Sequence, residues 1–163
     1  MLYEFDGVMP TVHPSCFVAD TASVIGPVTI GEDSSVWHGA SVRGACGPID
    51  IGCRSNVQDN ATVHCSTNGH TIIGDDVTIG HNAVVHDCTL ENGVLVGMGA
   101  VVLDNAVIGE GSTIAAGAVV TKNTIVPPNS LVIGIPGKVV KTLQSGSNLE
   151  NACEYVAIMR RYK

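Results

Sequence analysis

What this chain has little of narrows it first. Aromatic residues make up 4% of its 163 positions, and Lys plus Arg number only 8 against 15 Asp plus Glu. A net charge of −7 argues against the basic footprint that a nucleic-acid or anionic-membrane surface requires. No apolar run approaches bilayer-spanning length, and no basic segment followed by a short apolar stretch opens the chain. Neither a membrane span nor a secretory leader is therefore expected. The six cysteines (16, 46, 53, 65, 88 and 153) lack paired CxxC spacing and are expected to be reduced thiols of a cytoplasmic protein, not a disulfide framework. A single domain with so few aromatics needs another device to organise its core.

That device is a repeat. From Val18 the chain advances in sixes, as in VADTAS, VIGPVT and IGEDSS, and it does so again from Leu90, as in LENGVL, VGMGAV and VLDNAV. Eighteen units result, each opening on Val, Ile or Leu, which is a hexapeptide β-helix signature. Each unit reads as a short strand and a turn. Three units make one triangular coil, and coils stack by parallel pairing at about 4.8 Å. The first-position aliphatic points inward, and the small fifth residue fits where the walls converge. The fold expected over 18–134 is an all-β solenoid of about six coils. The pattern resembles the left-handed parallel β-helix family, and the left hand is what that resemblance implies; the period alone does not set it.

The ends read differently. Residues 1–17 are expected to contribute a short strand over the bottom rung. After the turn-rich PPNS and GIPG, a C-terminal helix over 147–163 is predicted to lie on the solenoid. Ser147 or Asn148 is its expected cap, Leu149, Cys153, Val156 and Met159 or Arg160 lie along one side, and Lys and Arg cluster in its last turn.

The spacing of six breaks after Val42, Val63 and Val85, which open units 5, 8 and 11. These units differ by three, so all three breaks fall on one edge in successive coils. Repeat arrays concentrate insertions on the functional face. The second residues of these units are Arg43, His64 and His86, which project outward from one face, one rung apart. His81 stacks instead above Asp59 on another edge, too far away to meet His64 or His86 within one chain. A metal ion resolves the arrangement if the solenoid forms a trimer. His64 and His86 of one subunit would then meet His81 of its neighbour around that ion, and the same docking would pair Arg43 with Asp59 one rung below.

Three neutral imidazoles on Zn²⁺ leave a fourth position for water, the pattern of a catalytic and not a structural site. The ion can lower the pKa of that water toward about 7 and so yield a hydroxide nucleophile. Trp37 and His38 sit two coils lower and are expected to pack at the interface. Cys65, beside His64, occupies a third position and faces another edge.

WHGASVRGACGPIDIG, NVQDNATVH and IGHNAVVHDCT, followed by VGMGAVV and GIPGKVV, resemble the gamma-class carbonic anhydrases and their close relatives over nearly the whole chain. The resemblance implies metal ligands His64, His81 and His86, with His81 supplied in trans within a homotrimer, and an interface ion pair Arg43–Asp59. It implies a role for Gln58 in orienting water or substrate, with Asn56 in the same motif. It also implies Zn²⁺, with Fe²⁺ or another divalent metal as substitute, and reversible hydration of carbon dioxide to bicarbonate. Two departures stand out. The family's Arg-Gly-Asp is Arg43-Gly44-Ala45 here, and the insert after His64, CSTNGH, has no carboxylate to shuttle protons. His70 in that insert is the candidate shuttle, its ordinary pKa being near 6.5. The competing readings are a hexapeptide acyltransferase using acyl-CoA and a metal-bearing but weakly active family member.

Overall fold

In the computed structural model, which describes residues 1–162, the repeats form a parallel β-solenoid of three faces. Lys163, the last residue of the predicted helical segment, lies outside the described residues. The first face has seven strands, running from Leu2–Tyr3 up through Ser23–Ile25, Ser41–Arg43, Thr62–His64 and Val84–His86 to Val119–Val120. The second has seven, from Thr11–Val12 to Ile125–Val126. The third has eight, from Phe17–Val18 to an antiparallel hairpin of Ser130–Ile133 with Lys138–Thr142. Apart from that hairpin, each strand pairs with those three strands away in sequence, as a coil of three units demands.

The core follows the repeat. First-position residues such as Val42, Val63, Val85 and Ile114 are fully buried, and the fifth-position Ala40, Ala61 and Ala83 close the corners beneath them. Corners turn through residues in the left-handed region, where Asn and Asp are tolerated. Asn60 (φ 58°) and Asn82 (φ 59°) follow Asp59 and His81, and Asp87 (φ 49°) follows His86. The five-residue gap after Val85 is thus a corner shortened by one residue, with Asp87 making the turn.

Two expectations change. The solenoid begins at Leu2, because residues 1–18 supply a strand to each face and add a seventh coil. The helix spans Leu149–Met159, has no basic residue in its last turn, and buries Ala152 and Met159 while Leu149 and Cys153 stay exposed. Asn148 occupies the N-cap position without a side-chain capping bond. Its buried amide instead donates to the carbonyls of Gly93, Gly111 and Ser112, and its oxygen accepts from Thr113 Oγ1 (3.0 Å), which ties the helix to the third face. Farther down, Phe17, Trp37, Tyr155 and Tyr162 form a cluster with ring centroids 5.0–5.3 Å apart in tilted and edge-on pairs. Trp37 therefore packs under the C-terminal helix of its own chain. None of the six cysteines is in a disulfide. Among the described residues no helix is long and apolar enough to cross a membrane.

Candidate metal centre

On the first face, Thr62–His64 and Val84–His86 are adjacent parallel strands with His64 in register with His86. The rings are tilted by 41° with centroids 5.3 Å apart, and His64 Nδ1 lies 3.2 Å from His86 Nε2. Above them the column continues. His86 Nδ1 is 2.7 Å from Asp104 Oδ1, and Asp104 Oδ2 is 2.5 Å from Lys122 Nζ. Asp104 is ionised, held below the ordinary carboxylate range first by the hydrogen bond from Lys122 and also by that from His86, against the opposing effect of burial. It is therefore an acceptor toward Nδ1, which in a neutral His86 ring would leave the lone pair on Nε2. Without a metal that atom faces His64 Nδ1 across 3.2 Å, a distance that one shared hydrogen bond spans and that a bound cation would take over. His64 Nε2 is the one buried side-chain nitrogen or oxygen, among the described residues, without a hydrogen-bond partner.

Such an orphan is costly unless something absent satisfies it. Imidazole nitrogens are ligands that suit a divalent cation, and the His64 ring resists protonation. Burial, followed by the nearby Arg43 charge and the neighbouring His86, keeps the His64 pKa below its ordinary value. The 3.2 Å between facing ring nitrogens is also close to the separation of two ligands on one tetrahedral ion, about 3.3–3.4 Å for bonds of 2.0–2.1 Å.

His81 does not join them within one chain. It precedes the strand Val84–His86, and that strand ends on His86, so the two stand at opposite ends of one face. Among the described residues no group of three His, Cys, Asp or Glu side chains is arranged to hold a metal ion. His81 Nδ1 lies 2.9 Å from Asp59 Oδ2, which leaves Nε2 outward with the Tyr155 hydroxyl 3.5 Å away. Asp59, expected to face Arg43 of a neighbour, contacts His81 of its own chain. Gln58 is buried and donates to Asn56 Oδ1 (3.1 Å), while Asn56 Nδ2 donates to Thr78 Oγ1 (3.0 Å). These side chains occupy the third face beside a cavity of about 100 Å³ that Met98 and Asn151 also line.

His70 lies on the far side of the insert. Its Nε2 is 2.7 Å from Asp50 Oδ2 in the coil below, and its backbone N–H donates to Asp87 Oδ1 (3.0 Å). An open cleft of about 440 Å³ adjoins it, lined by Asn68, Asp87 and Asn105 among others. Cys65 is buried, its Sγ donating to the Gly47 carbonyl (3.1 Å), and burial raises its thiol pKa.

The sequence reading missed Asp50, Tyr155, Asp104 and Lys122. Two of these carried a signal. Asp104 and Lys122 fill the same position of units 14 and 17, stacked directly above the unit of His86. Asp50 and Tyr155 meet their partners only through stacking and the folded-back helix.

A triangular solenoid of stacked six-residue units, with two imidazoles paired on its irregular edge, defines a hexapeptide-repeat protein. The comparisons with known proteins agree. The model "Bacterial transferase hexapeptide (six repeats)" matches residues 70–101 and 87–122. The chain is 55% identical over 144 residues to a protein of Methanocaldococcus jannaschii named "Probable carbonic anhydrase", covering 86% of this chain and 91% of that one. It is 48% identical over 143 residues to a carbonic anhydrase of Geobacillus kaustophilus, covering 88% and 79%. A crystal structure of a hexapeptide transferase family protein from Anaplasma phagocytophilum matches with a TM-score of 0.95 at 40% identity, over 99% of this chain and 98% of that one. The chain belongs to the gamma-class carbonic anhydrase-like family of hexapeptide-repeat proteins.

Proposed function

We propose that this chain is a gamma-type carbonic anhydrase that hydrates carbon dioxide reversibly at sites shared between the subunits of a homotrimer. The observation that carries this reading is the His64–His86 pair, with facing nitrogens 3.2 Å apart and one buried nitrogen lacking a partner. His64 and His86 of one subunit and His81 of the next would hold the ion, Zn²⁺ or Fe²⁺. When bound, the cation supplies the Lewis acidity that makes water a nucleophile at neutral pH.

The protein's own residues do the rest. Asp59 fixes the His81 proton on Nδ1, leaving Nε2 to face outward. Gln58, braced by Asn56, presents a fixed amide to water or substrate. Arg43 and Asp59 form the interface ion pair of the assembled trimer, one rung below the ligands. His70 takes up the proton each turnover releases, and the adjacent Asp50 replaces the carboxylate missing from the insert. A cytoplasmic setting is part of this reading and rests on the cysteine spacing.

Stopped-flow hydration of carbon dioxide by anaerobically purified protein loaded with Zn²⁺ or Fe²⁺ tests the activity. Turnover above the metal-free protein is expected, and none with either metal refutes it. His70→Ala should lower kcat in weak buffer and be rescued by imidazole buffer; unchanged turnover removes His70 from the path. About one ion per chain separates this reading from an acyl-CoA transferase, which needs none.

A further inference from the structure

The column that contains the histidine pair does not stop at the ligands. His64, His86, Asp104 and Lys122 rise through four successive coils, with contacts of 3.2, 2.7 and 2.5 Å between neighbours. Asp104 is mostly shielded, its side chain 15% exposed, whereas Lys122 is 62% exposed and reaches inward to it. Such a pair is more than an ordinary surface ion pair. One Asp104 oxygen faces a ring nitrogen of a proposed ligand, and the other takes the ammonium.

We propose that Asp104 is a positioning residue that holds the His86 proton on Nδ1 and turns Nε2 toward the metal, and that Lys122 fixes Asp104 in this orientation. This rests on the proposed metal centre. Without the carboxylate, His86 is free to carry its proton on either nitrogen, and the form protonated on Nε2 cannot ligate through that atom. Lys122 occupies Oδ2, so Oδ1 remains directed at the ring. Partners of this kind usually change metal affinity 10–100-fold when removed. His64 has no carboxylate of its own, so the orientation of the pair depends on this one column.

The test uses the full chain, stripped of metal, with Zn²⁺ as the probe against a chromophoric chelator. Asp104→Asn should weaken Zn²⁺ binding about 10–100-fold, Asp104→Glu should recover part of it, and Lys122→Met should cost less than about tenfold. In the metal-free protein, long-range ¹H–¹⁵N spectra should place the His86 proton on Nδ1, with Asp104→Asn shifting it toward Nε2. A merely structural role would lower the melting temperature without moving that proton. Wild-type affinity in both Asp104→Asn and Lys122→Met overturns the inference, and so does a wild-type His86 proton on Nε2. Should Asp104→Asn fail to fold, Lys122→Met and the wild-type spectrum still decide it. A wild-type protein that binds no Zn²⁺ refutes the metal centre itself. One that binds Zn²⁺ but hydrates no carbon dioxide refutes only the proposed activity.

Discussion

The upper coils, from Leu90 to Val126, and the middle coils, from Val42 to Cys88, are built from the same unit but do different things. In the upper coils the spacing of six is unbroken, and the residues that follow the buried first-face Val102 and Val120 are Leu103 and Thr121. In the middle coils the spacing breaks three times at one edge, and the outward residues become Arg43, His64 and His86. Regular spacing keeps corners and walls in register, which maximises burial of the first-position aliphatics. An irregular corner gives up some of that regularity and leaves room for side chains that ligate, titrate or pair. The division is not absolute, since Asp104 and Lys122 reach down from the regular region to the histidines.

The comparison breaks most severely at the ligands. On the proposed assembly, His81→Ala should remove metal from every site, not from a fraction, because each site would borrow that residue. Elemental analysis should then read near zero ions per chain while the circular dichroism spectrum is retained. A core truncation in the regular region should do the opposite. Ile108→Ala, at a fully buried position, is expected to cost about 2–5 kcal/mol. Urea unfolding would measure that cost, and metal content per folded chain should stay unchanged. Asn148→Ala comes next, at about 1–3 kcal/mol for buried carbonyls left without a donor. Hydrogen exchange should show the helix loosened and the solenoid intact.

The smallest expected effect is on pH dependence. Folding lowers the His64 pKa, chiefly through burial, so the native state resists a proton that the unfolded chain accepts near pH 6.5. As pH falls through that value, the unfolded state binds more protons and stability declines. Metal-free protein should therefore lose stability between about pH 7 and pH 5.5, and His64→Gln should flatten that slope.

Much of this was legible because solenoid geometry is unit arithmetic. Counting from Val18 places His64 beside His86 and His81 above Asp59 with no knowledge of side-chain packing. The arithmetic fails where the hexads fail. Residues 1–17 carry strands at Leu2, Thr11 and Phe17, with a Phe5–Val8 bridge between the first two, so no period marks them as a coil. Helical periodicity likewise cannot reveal that Asn148 binds three carbonyls of the solenoid, or that Tyr155 comes to rest near His81. Those contacts depend on where the helix folds back. The Asp50–His70 pair was hidden for a related reason. The insert contains no carboxylate, but the coil below it does.

The central claim is that each site is assembled from two chains, and mixed trimers test it most directly. His64→Ala and His81→Ala protein, each expected to be metal-free, would be denatured, mixed in equal amounts and refolded together. In a closed ring every trimer containing both chains regains one intact site, so random mixing should restore about one quarter of the wild-type metal content. No recovery from correctly folded mixed trimers, or metal retained by His81→Ala alone, would contradict the account.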